Sequence, residues 1–280
     1  MKDFPLFSVV IPTYNRAYIL CDSINSALEQ RSANTEVIVV DDGSTDETGS
    51  VVAGYRERVT YLYQTNQGAG AARSLGVRSA RGAYVAFLDS DDVWVSDKVK
   101  TELDMFEAFP QAGAVASDAD SWFENHLVET SWLSAKRGVP IPSEPHFFSL
   151  DSAVWMQGSL FATSSLTIRR CCLEKVGDPV FDPRLTLFED WDFEIRLLRM
   201  CKILILPKVL ASIRRYPDGT RANRATPGHD LTPEQVQDAL RGRLQVLENA
   251  ISLGGWPNSV ALDLKQVRDG VRDQLHRGKR

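Results

Sequence analysis

Phe87-Leu88-Asp89-Ser90-Asp91-Asp92-Val93-Trp94 reads as an apolar strand that runs straight into three carboxylates. Ionised carboxylates are costly to bury without a partner, so a core strand that ends this way needs a cation or a ligand to offset the cluster. Asp89 and Asp91 sit two apart at the strand end, a spacing that lets both reach one hard divalent ion. Mg2+ in particular is usually held by one or two carboxylates together with substrate phosphates. The competing reading is a solvated, Asp-rich turn, because Asp and Ser start turns and cap helices. The stretches upstream weigh against the turn.

Phe7-Ser8-Val9-Val10-Ile11 is a buried strand closed by Pro12, and a helix follows over residues 17–29 with Leu20, Ile24 and Leu28 stacked at i, i+4. Glu36-Val37-Ile38-Val39-Val40 is a second strand, ending in Asp41-Asp42-Gly43-Ser44. The next helix starts near residues 44–46 and buries Val51, Val52 and Tyr55. Residues 59–63 form a third strand, followed by Asn66-Gln67-Gly68 and a small-residue helix through Ala71, Ala72, Leu75 and Gly76; residues 84–88 are the fourth strand. Continuous apolar strands alternating with helices specify an α/β fold, with a mostly parallel central sheet covered on both faces. Ligands of such sheets bind at the carboxyl ends of the strands. Three of those ends are polar or acidic: Thr13-Tyr14-Asn15, Asp41-Asp42 and Asp89-Ser90-Asp91-Asp92. Their coincidence points to one shared site.

Beyond Trp94 the pattern gives a helix over residues 97–109, stopped by Pro110, and a strand over 114–117. Residues 118–161 read as irregular, residues 164–169 as a strand, and residues 197–206 as a helix passing into a strand that Pro207 breaks. Residues 216–230 are rich in Gly, Pro and Arg and read as a long mobile loop. Two apolar stripes follow, Val236-Leu240-Leu244-Leu247-Ile251 and Val260-Leu264-Val267-Val271-Leu275, both packing faces of helices.

With 280 residues the chain can bury a full core. Its net charge of -5 argues against a nucleic-acid binder, which carries a basic surplus. Cys21, Cys171, Cys172 and Cys201 have no CxxC spacing, so reduced structural thiols are expected rather than a disulfide framework or a zinc site. The first residues enter a strand with no apolar leader, and no apolar run approaches the ~18 residues of a spanning helix. A cytoplasmic location is expected.

Taken in order, Val9-Val10-Ile11-Pro12-Thr13-Tyr14-Asn15-Arg16, Val39-Val40-Asp41-Asp42-Gly43-Ser44-Thr45-Asp46, Asn66-Gln67-Gly68 with Ala72-Arg73, Phe87 to Asp92, and Glu189-Asp190-Trp191-Asp192 closely resemble the family 2 glycosyltransferases. These are inverting enzymes of the GT-A fold, and the resemblance covers about residues 5–215. It implies a GT-A nucleotide-sugar-binding and catalytic domain over residues 1–215, with 118–215 as the acceptor-side half, a mobile loop at 216–230 and a C-terminal helical extension over 231–280. It also implies a sugar donor of the UDP, dTDP or GDP type and a saccharide or lipid-linked acceptor. A lipid-linked acceptor brings peripheral contact with the inner membrane face, which a basic C-terminus (Arg268, Arg272, Arg277, Lys279, Arg280) suits.

The resemblance sets Pro12, Tyr14, Asp41 and Asp42 against the base and ribose, with Asp42 favoured for a base N–H, and Arg73 as the cation near the nucleotide. Asp89-Ser90-Asp91 matches the DxD motif: Asp91 coordinates Mn2+ or Mg2+, and Asp89 touches the ribose or metal-bound water. Asp92 stabilises the turn or the next helix. Asp190 of the Glu189-Asp190 pair is the general base, with Asp192 as the alternative if the register differs. Arg214, Arg215, Arg221 or Arg224 can clamp a phosphate, and His229 is a further candidate metal ligand. Trp122, Trp132 and Trp155 are equally readable as sugar platforms or as core. Two other readings remain: a nucleotide-sugar-binding protein without turnover and a nucleotidyltransferase. Gly68-Ala69-Gly70 lacks the third glycine of a dinucleotide fingerprint and follows the wrong strand, which argues against a nicotinamide enzyme.

Overall fold

The computed structural model describes residues 7–30, 34–137, 143–149, 153–216 and 232–277. Strand β1 (Phe7–Thr13) is buried along its whole length. It pairs in parallel with β2 (Thr35–Asp41) on one side and β4 (Tyr84–Phe87) on the other, and β3 (Thr60–Tyr63) extends the sheet beyond β2. The period of two along β1 divides its side chains between two cores. Val10 joins Ile38, Val40, Ala72 and Phe87 on the face covered by α3 (Ala69–Ser79). Phe7, Val9 and Ile11 join Leu20, Ile24, Val39 and Leu88 on the face covered by α1 (Leu20–Leu28) and α2 (Thr48–Ala53).

The second half continues through β5 (Val93–Trp94), α4 (Lys98–Ala108), β6 (Ala112–Phe123), β7 (His126–Glu129), α5 (Trp132–Arg137) and β8 (His146–Phe147). It then runs through β9 (Leu166–Arg169), α6 (Arg170–Val176), α7 (Glu189–Met200) and β10 (Lys202–Arg215), and closes with α8 (Pro233–Leu253) and α9 (Asn258–Arg277). The sheet order is β3-β2-β1-β4-β9-β6-β10-β5. β9 runs antiparallel to both β4 and β6, and β10 is parallel to β6. β1 to β4, β6 and β10 therefore all point one way, and their carboxyl ends share one edge of the sheet. The α/β class and the mostly parallel central sheet flanked by helices hold as expected.

Two details differ from the sequence reading. Residues 118–161 are not irregular throughout: β6 runs on to Phe123 and turns through Glu124 and Asn125, both at positive φ (45° and 67°), into β7. Polar residues Asp118, Asp120 and Ser121 broke the apolar pattern; Asp118 meets two backbone N–H groups, those of Ala119 and Leu133, instead of water. Nor does Pro207 end its strand. β10 passes through it at a register shift between Leu206 and Val209, in the gap between the short partners β8 and β5, where a proline is tolerated.

The C-terminal helices share the main core. Val246, Leu247, Ala250, Val260, Leu264 and Val271 are buried in the same cluster as Val10 and Phe87. α8 starts at a capping box in which Thr232 and Gln235 each accept the other's backbone N–H, with Pro233 at the first helical position. Of the expected 216–230 loop only Tyr216 is described; Arg221, Arg224 and His229 lie outside the described residues.

Under the sheet, Lys98 and Glu102 form a fully buried ion pair on α4. Thr167 Oγ1 donates to the second Glu102 oxygen at 2.6 Å, and Lys98 Nζ lies 4.9 Å from the Trp94 ring centroid. Removing one partner of such a pair strands a buried charge at a cost of about 3–5 kcal/mol. In urea unfolding, Lys98→Met is expected to lose stability on that scale, whereas Lys98→Met/Glu102→Leu recovers most of it.

Candidate active site

The turns after β1 and β2 are stitched together. Asn15 takes a left-handed conformation (φ 51°), which Asn tolerates better than most residues. Its backbone N–H donates to Ser44 Oγ at 2.9 Å and its Oδ1 accepts from Thr45 N at 2.8 Å. Asp46 accepts from Ala17 N and Thr48 N. Pro12 and Thr13 are buried at the strand end, and Tyr14 emerges 47% exposed. Asp41 accepts from Ser44 N at 2.8 Å and from the Tyr61 hydroxyl at 2.7 Å; burial, reinforced by that bond, raises the Tyr61 pKa. Asp42 accepts from Gln64 Nε2, Gln67 N and Gly68 N at 2.7, 2.9 and 2.8 Å. A carboxylate offers about four lone-pair sites, so Asp42 braces the start of α3 and keeps one.

The acid loop after β4 is held from three directions. Asp89 N donates to Ser164 Oγ, which in turn donates to Asp92 Oδ2 at 2.5 Å. Arg214 N donates to Asp92 Oδ1, Arg214 Nε to the Asp91 carbonyl at 2.6 Å, and Arg214 Nη1 to Asp22 on α1. The Asp92 carbonyl accepts from Ser23 Oγ. Buried Asp92 thus serves the turn, and burial together with the charges of Asp91 and Asp89 pushes its pKa well up. The first two carboxylates face arginines: Arg16 Nη2 stands 3.4 Å from Asp91 Oδ2, and Arg73 Nη2 stands 2.6 Å from Asp89 Oδ1.

Arg73 joins the acid loop to the acidic pair of α7. Its Nη1 lies 3.3 Å from Glu189 Oε1, and its guanidinium stacks 5.5 Å from the Phe181 ring centroid. The approach is close: a Cβ on Gly70 would stand 3.1 Å from Glu189 Cγ. Burial opposes the Arg73 charge, but Asp89 and Glu189 more than offset it and the guanidinium stays protonated. Burial raises the pKa of Glu189, and the neighbouring Asp190 adds to it against Arg73. Burial likewise raises Asp190, whose Oδ1 accepts from Trp191 N at 2.8 Å; the negative Asp89 adds to the rise and Arg73 opposes it. One turn on, buried Glu194 accepts from Ser159 Oγ, Leu160 N and Phe161 N. Burial and the charge of Asp190 still push it up to about 8.

One continuous set of contacts therefore links Asp91, Asp89, Arg73 and the Glu189-Asp190 pair, while Pro12, Tyr14, Asp41 and Asp42 form the adjoining wing at the ends of β1 and β2. Asp192 stands apart: it pairs with Arg196 at 2.8 Å and accepts from Asn249 at 2.9 Å. Trp155 is core, 1% exposed and stacked on Trp256. Trp122 lines a cavity of about 40 Å3 with Arg214, Arg215 and Tyr216, and Trp132 lies beneath Arg215. Sequence reasoning assigned no role to Arg16 or Ser164. Arg16 closes the first quoted motif, which was its only signal, and nothing local marks Ser164.

Among the described residues no three His, Cys, Asp or Glu side chains are grouped to hold a metal. Asp89 and Asp91 still supply the donor set that Mg2+ or Mn2+ takes beside a diphosphate, namely one or two carboxylates. Arg73 Nε on α3 and Thr13 Oγ1 at the end of β1 are buried without hydrogen-bond partners, and such orphaned donors suit ligand oxygens.

The Glycosyl transferase family 2 sequence model matches residues 8–176. An uncharacterized glycosyltransferase of Rickettsia prowazekii is 28% identical over 215 residues, covering 75% of this chain and 64% of that protein. TuaG of Bacillus subtilis, a glycosyltransferase whose name ties it to teichuronic acid biosynthesis, is 42% identical over 104 residues, 36% of this chain and 41% of its own length. The fold matches S. aureus TarS residues 1–349 with a TM-score of 0.66 at 22% identity, over 94% of this chain and 69% of that one. A mannosyltransferase of Pyrobaculum calidifontis, solved with GDP-Man and Mn2+, matches with a TM-score of 0.65 at 20% identity, over 95% and 70% of the two chains. The chain thus spans about two thirds of the Rickettsia, S. aureus and Pyrobaculum proteins and 41% of TuaG, and it shares the fold of the two solved structures. With its matched segment running from β1 through α6, the chain belongs to glycosyl transferase family 2.

Proposed function

We propose that the chain moves a sugar from a nucleoside-diphosphate sugar to an acceptor hydroxyl, with inversion and with a divalent metal. One observation carries the reading: a single buried guanidinium, Arg73, contacts both Asp89 of the acid loop and Glu189 beside Asp190. The carboxylate read as serving the diphosphate and the one next to the proposed base thereby share one cation. S. aureus TarS has been solved with UDP and with UDP-GlcNAc, and the Pyrobaculum enzyme with GDP-Man; these support a nucleotide-sugar donor of the UDP, dTDP or GDP type.

In this reading Asp41, with two of its lone-pair sites used, and Asp42, with one left, meet the base and ribose below Tyr14. Asp91 and Asp89 would hold Mn2+ or Mg2+, which when bound offsets charge on the departing diphosphate. Asp190 accepts the acceptor hydroxyl proton as that oxygen bonds to the anomeric carbon. The bond from that carbon to the diphosphate oxygen breaks with its electron pair, so one displacement inverts the centre without an enzyme nucleophile. Such a base supplies about 10²–10⁴-fold. The TuaG match favours a role in cell-surface polysaccharide or glycoconjugate synthesis with a saccharide or lipid-linked acceptor. Among the described residues no helix is long and apolar enough to cross a membrane. We place the enzyme in the cytoplasm, peripheral to the inner membrane face where its acceptor is lipid-linked. A protein that binds nucleotide sugar without turnover has no use for a raised carboxylate beside Arg73, and the family model that matches is a glycosyltransferase model.

Thermal unfolding with UDP, GDP, dTDP and CMP, each with and without Mn2+, tests the donor and the metal together. A ligand at about 100 times its Kd stabilises the fold by about 2.7 kcal/mol. One diphosphate is expected to raise Tm only with Mn2+, and Asp91→Asn to abolish that rise; a shift indifferent to metal and to Asp91→Asn sinks the metal role. Asp190→Asn is expected to keep the nucleotide-induced shift while lowering turnover about 10²–10⁴-fold. Because Asp190 must be ionised to accept a proton and burial raises its pKa, wild-type kcat is expected to fall on acidification with a midpoint above the ordinary 3.8 of an aspartate.

A further inference from the structure

Phe188, the residue before the acidic pair, sits at φ 64° in the left-handed region, which bulky aromatic residues avoid. Strained backbone of this kind persists only where its surroundings hold it. The Phe188 carbonyl accepts from Asp192 N at 3.0 Å and so opens α7. Its ring meets Trp191 edge-on, with centroids 6.2 Å apart. The other support comes from α8. A Cβ on Gly242 would stand 3.1 Å from Phe188 Cδ2 and 3.6 Å from Leu187 Cβ. Glycine inside a helix is unfavourable relative to alanine, and this close approach is a reason for one in the middle of α8.

Asn249 lies seven residues after Gly242, two turns along the same helix face. Its Nδ2 donates to Asp192 Oδ1 at 2.9 Å and reaches Asp182 Oδ2 at 3.4 Å. Asp192 is paired with Arg196, whose Nη2 donates to the Val180 carbonyl at 2.6 Å. One face of α8 therefore grips the chain immediately before Glu189-Asp190 through Phe188 and two residues beyond Asp190 through Asp192. Both α7 and α8 lie outside the residues that match the family model.

We infer that α8 positions the general base: Gly242 and Asn249 hold the Phe188–Asp192 turn in the shape that keeps Asp190 at the Arg73 site. Both are positioning residues, since neither touches the acidic pair itself. The inference rests on the reading of Asp190 as the base, and the test separates the two.

In the full chain, Gly242→Leu, Asn249→Ala, Phe188→Gly and the double variant Gly242→Leu/Phe188→Gly are compared with wild type and Asp190→Asn. Hydrogen exchange by mass spectrometry follows residues 186–194 against residues 84–94. Mn2+-dependent hydrolysis of UDP-GlcNAc and of GDP-mannose gives kcat and KM. Gly242→Leu is expected to speed exchange at 186–194 by tenfold or more, to leave 84–94 unchanged, and to lower kcat about tenfold at constant KM. Asn249→Ala moves both readouts the same way. Removing the ring relieves the clash, and glycine accepts the left-handed backbone, so the double variant returns to the Phe188→Gly values. Unchanged exchange at 186–194 in both Gly242→Leu and Asn249→Ala overturns the inference. So does full kcat in these variants while Asp190→Asn is inactive. If Gly242→Leu loosens the whole chain, Asn249→Ala decides. If Asp190→Asn hydrolyses donor like wild type, the base reading falls, and exchange still reports whether α8 holds the turn.

Discussion

Arg73 is the cation around which the acidic residues of this fold can coexist. Asp89, Glu189 and Asp190 converge on a half-buried site, and like charges brought together out of water raise one another's pKa. Without the guanidinium, the loop after β4 and the start of α7 would repel. Its own position is set from behind: Asp42 fixes the Gln64–Gly68 turn with three hydrogen bonds, α3 starts there, and Arg73 follows one turn later. An aspartate at the end of β2 thereby determines where a cation meets the end of β4.

The reversal of β9 completes the loop. Because β9 runs antiparallel to β4, its first residues arrive beside the last residues of β4. That brings Ser164 to bridge Asp89 N and Asp92. β10, parallel to β6 and paired with β5 at the sheet edge, delivers Arg214 to the other side of the same loop. Three stretches spread over more than a hundred residues of chain thus share one hydrogen-bond network. A buried hydrogen-bond network of this kind rigidifies a site, and within the acid loop the carboxylates of Asp89 and Asp91 are turned to arginines rather than to the turn itself.

The C-terminal helices are part of the same construction. Their apolar stripes fill the core beneath α7, while the polar groups of α8 reach the residues flanking the acidic pair. The family match stops at residue 176, so the acidic pair on α7 and the α8 residues that flank it lie outside the matched segment.

The sequence by itself determined the alternating strands and helices of the first ninety residues and the acidic ends of three of those strands, because apolar period and strand-ending residues are local signals. Its ordered motifs also carried the family, and with it the roles proposed for Asp89, Asp91, Arg73 and Asp190. Residues 118–161 resisted, since Asp118 and Asp120 sit in a strand whose polar groups are satisfied across the fold rather than by neighbours in the chain. It took the folded chain to show that Asp42 braces a turn, that Arg16 faces Asp91, that Trp155 is core and that Asp192 is bonded to Asn249 of α8. Each of those roles depends on a partner between 22 and more than 100 residues away, and no spacing within the chain encodes which distant side chain arrives.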